Sequence, residues 1–296
     1  MAFIESICDT YAMDHLDLDL LRTFAVIAET GALSRAAVRV GRTQAAISLQ
    51  VKRLEQIVSQ TLLDRSGRGV TLTPQGTRLL AHAQRILRYH DEALAELSGK
   101  GLSGTIRFGC PDDYAVVLLP QLLRGFAREH PEVLVEVYCG HTPRLLERLE
   151  RHALDLALTS FGEQEKNAAI IRWEPLVWVG SVGSNAANLD PLRLALSDPD
   201  TLDHRAARRS LEAVGRSYRL AYASASLAGL TAVVRSGQAI AVLTRTAVPE
   251  DLRILPPETG LPPLPQVGIA LTVDSPEPAA VVSAFAEYVR MALPTL

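Results

Sequence analysis

The stretch Gly31-Ala32-Leu33-Ser34-Arg35-Ala36-Ala37-Val38-Arg39-Val40-Gly41-Arg42-Thr43-Gln44-Ala45-Ala46-Ile47-Ser48-Leu49-Gln50-Val51-Lys52-Arg53-Leu54-Glu55 predicts two short helices joined by a tight turn. Ser34 stands as N-cap of the first, Arg35 to Val40, and Thr43 as N-cap of the second, Gln44 to Glu55. Ala36, Ala37, Val40, Ile47, Val51 and Leu54 are spaced to pack the two helices on each other and on Phe24 and Ile27 upstream. That arrangement leaves Thr43, Gln44, Ser48, Gln50 and Lys52 facing away, with side chains of the kind that read base edges in a major groove. Downstream, Leu62-Leu63-Asp64-Arg65, Ser66-Gly67-Arg68-Gly69 and Val70-Thr71-Leu72-Thr73 read as strand, turn and strand, a wing with Arg65 and Arg68 at its tip. The pattern implies binding of duplex DNA.

Charge agrees once the chain is divided. The formal net charge of the whole is −3, but residues 31–90 hold ten Lys or Arg against Glu55 and Asp64 alone. A local basic excess on an acidic chain is a nucleic-acid signature, because phosphate neutralisation supplies most sequence-independent affinity. The same segment has a single aromatic, Tyr89, so it offers no stacking platform for single strands or RNA loops.

The 296 residues are enough for two or three domains. No apolar run reaches the length of a membrane span. Met1 to Asp14 holds Glu5, Asp9 and Asp14 and no basic residue, unlike a secretory signal; Met13 is read as an alternative start. Cys8, Cys110 and Cys139 are odd in number and lack C-x-x-C spacing, which points to a reducing cytoplasm without disulfides. The histidines form no metal-ligand pattern, and no cofactor is expected.

From Thr73-Pro74-Gln75-Gly76 a long helix begins, with Pro in its first turn. Leu80, Ala83, Leu87, His90, Leu94 and Leu97 fall at alternating spacings of three and four, an a/d seam for pairing with a second copy. The Gly/Ser-rich segment 98–104 reads as a hinge. Beyond it strands and helices alternate: strands near Thr105–Gly109, Val133–Tyr138, Leu154–Thr159, Leu176–Val179, Leu192–Leu196, Arg219–Tyr222, Ile240–Leu243 and Gly268–Thr272. Helices are expected at Tyr114–His130, Pro143–His152, Asp203–Val214, Leu227–Ser236 and Ala279–Leu293. Such alternation predicts two doubly wound α/β lobes with parallel sheets, a cleft between them, and the last helix back on the first lobe.

At this point the chain resembles the LysR-type transcriptional regulators over essentially its whole length. The specific residues are Ser34-Arg35-Ala36-Ala37, Thr43-Gln44-Ala45-Ala46-Ile47-Ser48, Arg53-Leu54-Glu55, Leu62-Leu63-Asp64-Arg65 and Leu72-Thr73-Pro74-Gln75-Gly76. The resemblance implies an N-terminal extension (1–15), a winged helix-turn-helix (16–73), a dimerising linker helix (74–97), a hinge (98–104) and a two-lobed effector-binding domain (105–296). That last domain is similar to periplasmic binding proteins. The partners implied are operator DNA, a small-molecule effector, and further copies as homodimer or homotetramer. Gln44 and Ser48 match base-contacting positions, Arg68 matches a wing residue of the minor groove, and Ser34 and Arg35 lie within the matching segment. Ala45 stands where Pro is frequent and Leu49 where Arg often contacts DNA.

In doubly wound lobes ligands sit beyond the carboxyl ends of the strands. Those ends are Cys110-Pro111-Asp112-Asp113-Tyr114, Thr159-Ser160, Ser224-Ala225-Ser226 and Thr244. Asp112 and Asp113 offset the positive helix end that would attract an anion, so an anionic effector is disfavoured. Two alternatives stand beside a ligand sensor: a thiol switch through Cys110 and Cys139, and an architectural DNA binder. An enzyme built on Cys110, His141 and Asp155 is opposed by the absence of any nucleophile-elbow motif.

Overall fold

Asp17 starts the first helix, α1 (Leu18–Thr30), by accepting the Asp19 backbone N–H at 2.8 Å, and Gly31 ends it at φ 62°. The Gly31 carbonyl then accepts the Val70 N–H at 3.0 Å, tying the end of α1 to the wing. In the computed structural model, residues 15–66, 69–97, 101–165 and 169–296 are described, without the side chains of 65, 66, 92, 95 and 96. The proposed start at Met13 therefore lies outside the described residues, as does Arg68. The chain forms two compact units, the first ending at Gly99.

In the first unit α2 spans Leu33–Arg39 and α3 spans Gln44–Val58. Ser34 is not the cap of α2: Ala32 holds that position without a side-chain bond, and Ser34 lies inside the helix. The helix starts early because Leu33 is buried in the core. Thr43 does cap α3, accepting the Ala46 N–H at 3.2 Å. Strands β1 (Leu63–Ser66) and β2 (Gly69–Leu72) pair antiparallel as the wing, and α4 (Pro74–Leu97) follows. Thr73 Oγ1 accepts the Gly76 N–H, and glycine is required at 76 because a Cβ would sit 2.0 Å from the Leu62 carbonyl oxygen. Phe24, Ile27, Ala36, Ala37, Ile47, Val51 and Leu54 form the core, as their spacing predicts.

The apolar stripe of α4 divides in two. Ala83 is buried and Leu80 and Leu87 pack partly against the unit's own core, whereas Leu94 and Leu97 are 56% and 87% exposed. Only the distal half is available as a seam.

In the second unit β3 (Gly104–Cys110), β4 (Val133–Cys139) and β5 (Leu156–Gly162) run parallel, with α5 (Asp112–Val117), α6 (Leu119–Glu129) and α7 (Thr142–Glu150) between them. The single helix expected over 114–130 is two, since Pro120 has no N–H to continue the ladder and falls in the first turn of α6. Strand β6 (Ile170–Ser181) passes into the second lobe of β7 (Leu192–Leu196), β8 (Tyr218–Ala223) and β9 (Ile240–Thr244), with α8 (Leu202–Ala213) and α9 (Leu227–Arg235). Strand β10 (Leu252–Ile254) pairs with β6; then β11 (Gln266–Val273) and α10 (Ala280–Ala292) return to the first lobe.

The sheet order is β4-β3-β5-β11-β6-β9-β7-β8. The parallel sheets expected are therefore mixed. Strand β11 is antiparallel to β5 and β6, and β6 is antiparallel to β9. Strands that carry the chain between lobes take their direction from where they are going, which sets them against the parallel trios. Helix α10 packs where the sequence places it, with the Phe285 ring 5.2 Å from Phe108 and 4.8 Å from Phe126 in edge contacts.

Candidate functional site

Two surfaces carry the candidate residues. On α3, Ile47, Val51 and Leu54 face the core, and the periodicity turns Gln44, Ala45, Leu49 and Lys52 outward, all exposed, with Ser48 half-buried beside them. Leu49 is 68% exposed. Gln50 departs from expectation: its Oε1 accepts the hydroxyl of buried Thr23 at 3.0 Å, so it binds α3 to α1 rather than facing out. The Thr43 hydroxyl is engaged as the cap. Ser34 and Arg35 are exposed on α2. Arg65 sits in β1 opposite Val70. Nearby cations differ in availability, since Arg39 pairs with Glu29 at 2.6 Å and Arg42 with Asp19 at 3.3 Å.

The second surface is a cavity of about 360 Å³ between the two lobes. From the first lobe come Pro111, Asp112, Asp113, Tyr114, His141, Thr142 and Ser160; from the second come Ser197, Asp200, Thr201, Asp203, Arg205 and Thr244. Leu176, Leu202, Leu227, Leu230, Val242 and Val267 supply an aliphatic wall. The Tyr114 hydroxyl and Ser160 Oγ are 2.8 Å apart, and Thr142 Oγ1 accepts the Ser160 N–H at 2.9 Å. Thr244 donates its hydroxyl to Asp113 Oδ2 at 3.0 Å across the cleft, and Ser197 donates to Asp203. The Nε2 atom of His141 is buried without a hydrogen-bond partner among the described residues.

Burial pushes the Asp113 carboxyl up to about 6, Thr244 opposes this, and the Asp203 carboxylate raises it further. Carboxylates of opposite lobes thus repel through the cavity. Among the described residues five of them line it, Asp112, Asp113, Glu165, Asp200 and Asp203, and Arg205 is the one Lys or Arg of that lining, itself exposed. Among the described residues no cluster of His, Cys, Asp or Glu is arranged to hold a metal ion.

Of the residues expected here, Pro111, Asp112, Asp113, Tyr114, Ser160 and Thr244 line the cavity, while Cys110, Thr159, Ser224 and Ser226 do not. Cys110 is buried in the first-lobe core. Thr159 points the other way along β5, onto Thr272 Oγ1 at 2.9 Å. Ser226 is spent as the cap of α9, accepting the Gly229 N–H, and Ser224 folds back onto Ser226. The second-lobe residues Ser197, Asp200, Thr201 and Asp203 were reachable by the same reasoning, since they follow the carboxyl end of β7.

The thiols sit in register at the ends of adjacent strands, Cys110 opposite Cys139. Burial pushes both thiols up, Cys110 well up, with Asp113 adding to Cys110 and Asp112 to Cys139. Asp155, the orienting residue of the enzyme reading, is committed to Arg107 through its backbone N–H at 2.8 Å and Nη2 at 2.9 Å. No described helix is long and apolar enough to cross a membrane.

A winged helix-turn-helix followed by a two-lobed binding domain defines a class of one-component regulators. The bacterial regulatory helix-turn-helix model of the lysR family matches residues 18–77, and the LysR substrate binding domain model matches residues 99–294. The chain belongs to the LysR family of transcriptional regulators, which act by binding DNA and not by catalysis. It is 62% identical over 281 residues to the HTH-type transcriptional regulator DgdR of Burkholderia cepacia, covering 95% of this chain and 96% of that one. It is 32% identical over 251 residues to PecT of Dickeya dadantii, covering 85% and 79% respectively. Among solved structures, ArgP from Mycobacterium tuberculosis superposes with a TM-score of 0.70 at 19% identity, covering 95% of this chain and 99% of its own. Full-length CbnR complexed with its target DNA gives 0.63 at 21%, covering 94% and 100%. These last likenesses concern the fold.

Proposed function

We propose that this chain is a sequence-specific regulator whose α3 enters the major groove and whose DNA affinity or DNA bend responds to a small molecule held between the lobes. Gln44, Ser48 and Leu49 would meet base edges, while Lys52, Arg35, Arg65 and Arg68 would meet the phosphates and the adjoining minor groove. The likeness in fold to CbnR, which was crystallised on its target DNA, supports this placement. The distal half of α4, with Leu94 and Leu97 uncovered, supports pairing of two copies. Apolar residues exposed on both edge strands, Leu134 of β4 and Leu220 of β8, support further association through the effector domain.

The observation that carries the effector reading is the opposition of Asp113 and Asp203 across a cleft that also holds an aliphatic wall. Two carboxylates held in mutual repulsion disfavour an anion and favour a neutral or positively charged guest, which relieves the repulsion. An architectural role leaves such a cavity without purpose. Calorimetric titration of butylammonium, butanol and butyrate into the full chain tests the point. Butylammonium should bind more tightly than the other two, and Asp113→Asn and Asp203→Asn should each remove that preference. Tighter binding of butyrate by the native protein than by either variant overturns the charge argument.

A further inference from the structure

We propose that Leu49 reads the 5-methyl group of a thymine in the operator. The inference rests on the placement of α3 in the major groove. An exposed leucine on a protein surface ordinarily needs no explanation. Leu49 differs because it occupies the middle of a face that becomes buried on DNA, so what it meets there is defined. The helix places it one turn beyond Ala45 and one turn before Arg53, with Ser48 and Lys52 alongside. Ala45 is too short to fill the groove ahead of it, and every other outward side chain on this stretch is polar, charged or small. Leu49 is therefore the apolar point of a polar reading face, 68% exposed until the groove covers it.

The chemistry of the groove then decides the base. Guanine offers only acceptors at that edge, cytosine a donor, and adenine one of each, while thymine adds a methyl group to its acceptor. A leucine pressed against guanine, cytosine or adenine excludes water from polar atoms and returns no hydrogen bond. Against thymine it buries a methyl on a methyl. Selection by Leu49 is therefore apolar and specific for thymine, where an arginine at the same point would select guanine through its O6 and N7 atoms.

The test uses the full chain and a duplex selected by it from a random pool, with affinities measured by fluorescence anisotropy at one salt concentration. Each thymine is replaced singly by deoxyuridine, which removes only the methyl. One thymine per half-site should be found at which this replacement weakens native binding about four-fold and leaves Leu49→Ala unaffected. Leu49→Arg, selected afresh, should exchange that thymine for guanine. The proposal is overturned if no replacement weakens the native protein more than Leu49→Ala, or if Leu49→Ala and the native chain select the same site with the same deoxyuridine penalties. Gln44→Ala separates the two levels of argument. If it loses ten-fold or more while deoxyuridine has no effect, the groove placement stands and Leu49 alone is misassigned; if it loses nothing, the placement itself fails.

Discussion

The outward face of α3 and the interlobe cavity solve opposite problems with opposite means. The α3 face is convex and open, and it carries Lys52 and Arg53 beside uncharged Gln44, Ala45, Ser48 and Leu49. The cavity is concave, lined among the described residues by five carboxylates and one arginine, and Thr244 bonds to Asp113 across the cleft. An exposed face of this kind keeps its charges in water. The cavity instead holds its charge out of water, and Asp113 shows where, its carboxyl raised first by burial and then by Asp203.

The largest test of this contrast concerns how many readers act together. Replacing Leu94 and Leu97 with Asp should leave the first unit folded, since both lie exposed, yet separate paired copies and lower affinity for a two-half-site operator by about 10²–10⁴-fold. Leu87→Asp should instead unfold the unit, because Leu87 packs against its core. Sedimentation mass unchanged by the double replacement would show that α4 does not pair the chains.

Asp113→Asn probes the cost of that buried charge, which burial sets first and Asp203 increases. Its folded pKa of about 6 lies above the ordinary 3.8, so the native state is penalised when the group ionises. The penalty is absent below about pH 4, grows between pH 4 and 6 and is complete above. The amide should therefore raise stability near pH 7.5 by up to about 3 kcal/mol, and progressively less as pH falls toward 4. A gain in Tm that is equal at both ends of that range would mean altered packing rather than removed charge.

On the reader side, Gln44→Ala should cost about 1–3 kcal/mol at the specific site and relax preference at one base pair. Arg68→Ala should weaken binding on all sequences and lower the salt slope by about one. The smallest expected effect lies at the thiols. Cys139→Ser should change DNA affinity by less than about 0.5 kcal/mol, and mild peroxide should leave the native affinity unchanged, since both thiols are shifted up, buried Cys110 the more and exposed Cys139 with Asp112 beside it. A peroxide response lost in Cys139→Ser would restore the switch reading.

The sequence made the reader more legible than the sensor for a physical reason. Helical period, the Thr43 cap and the Gly76 approach are local, and each leaves its mark within a few residues. Nothing near Gln50 in the sequence marks its partner, Thr23, which lies on another helix. The cavity is made by chain ends that are far apart, and strand order governs which of them converge. Ser224 and Ser226 follow β8, an edge strand whose end opens to solvent, whereas Ser197 and Asp203 follow β7, one strand inward. Strict alternation along β5 sends Ser160 into the cavity and Thr159 into the core. The first half of β6 was missed because Arg172 and Glu174 interrupt its apolar run; they pair with each other at 3.1 Å, and Glu174 also accepts the Thr246 N–H at 2.9 Å.

The chain crosses between the lobes along β6 and again on entering β11, and at the crossing these strands are immediate neighbours, Pro175 beside Gln266 and Glu174 beside Val267. Because both crossings share one ladder, any change in the angle between the lobes falls on the same few residues of β6 and β11.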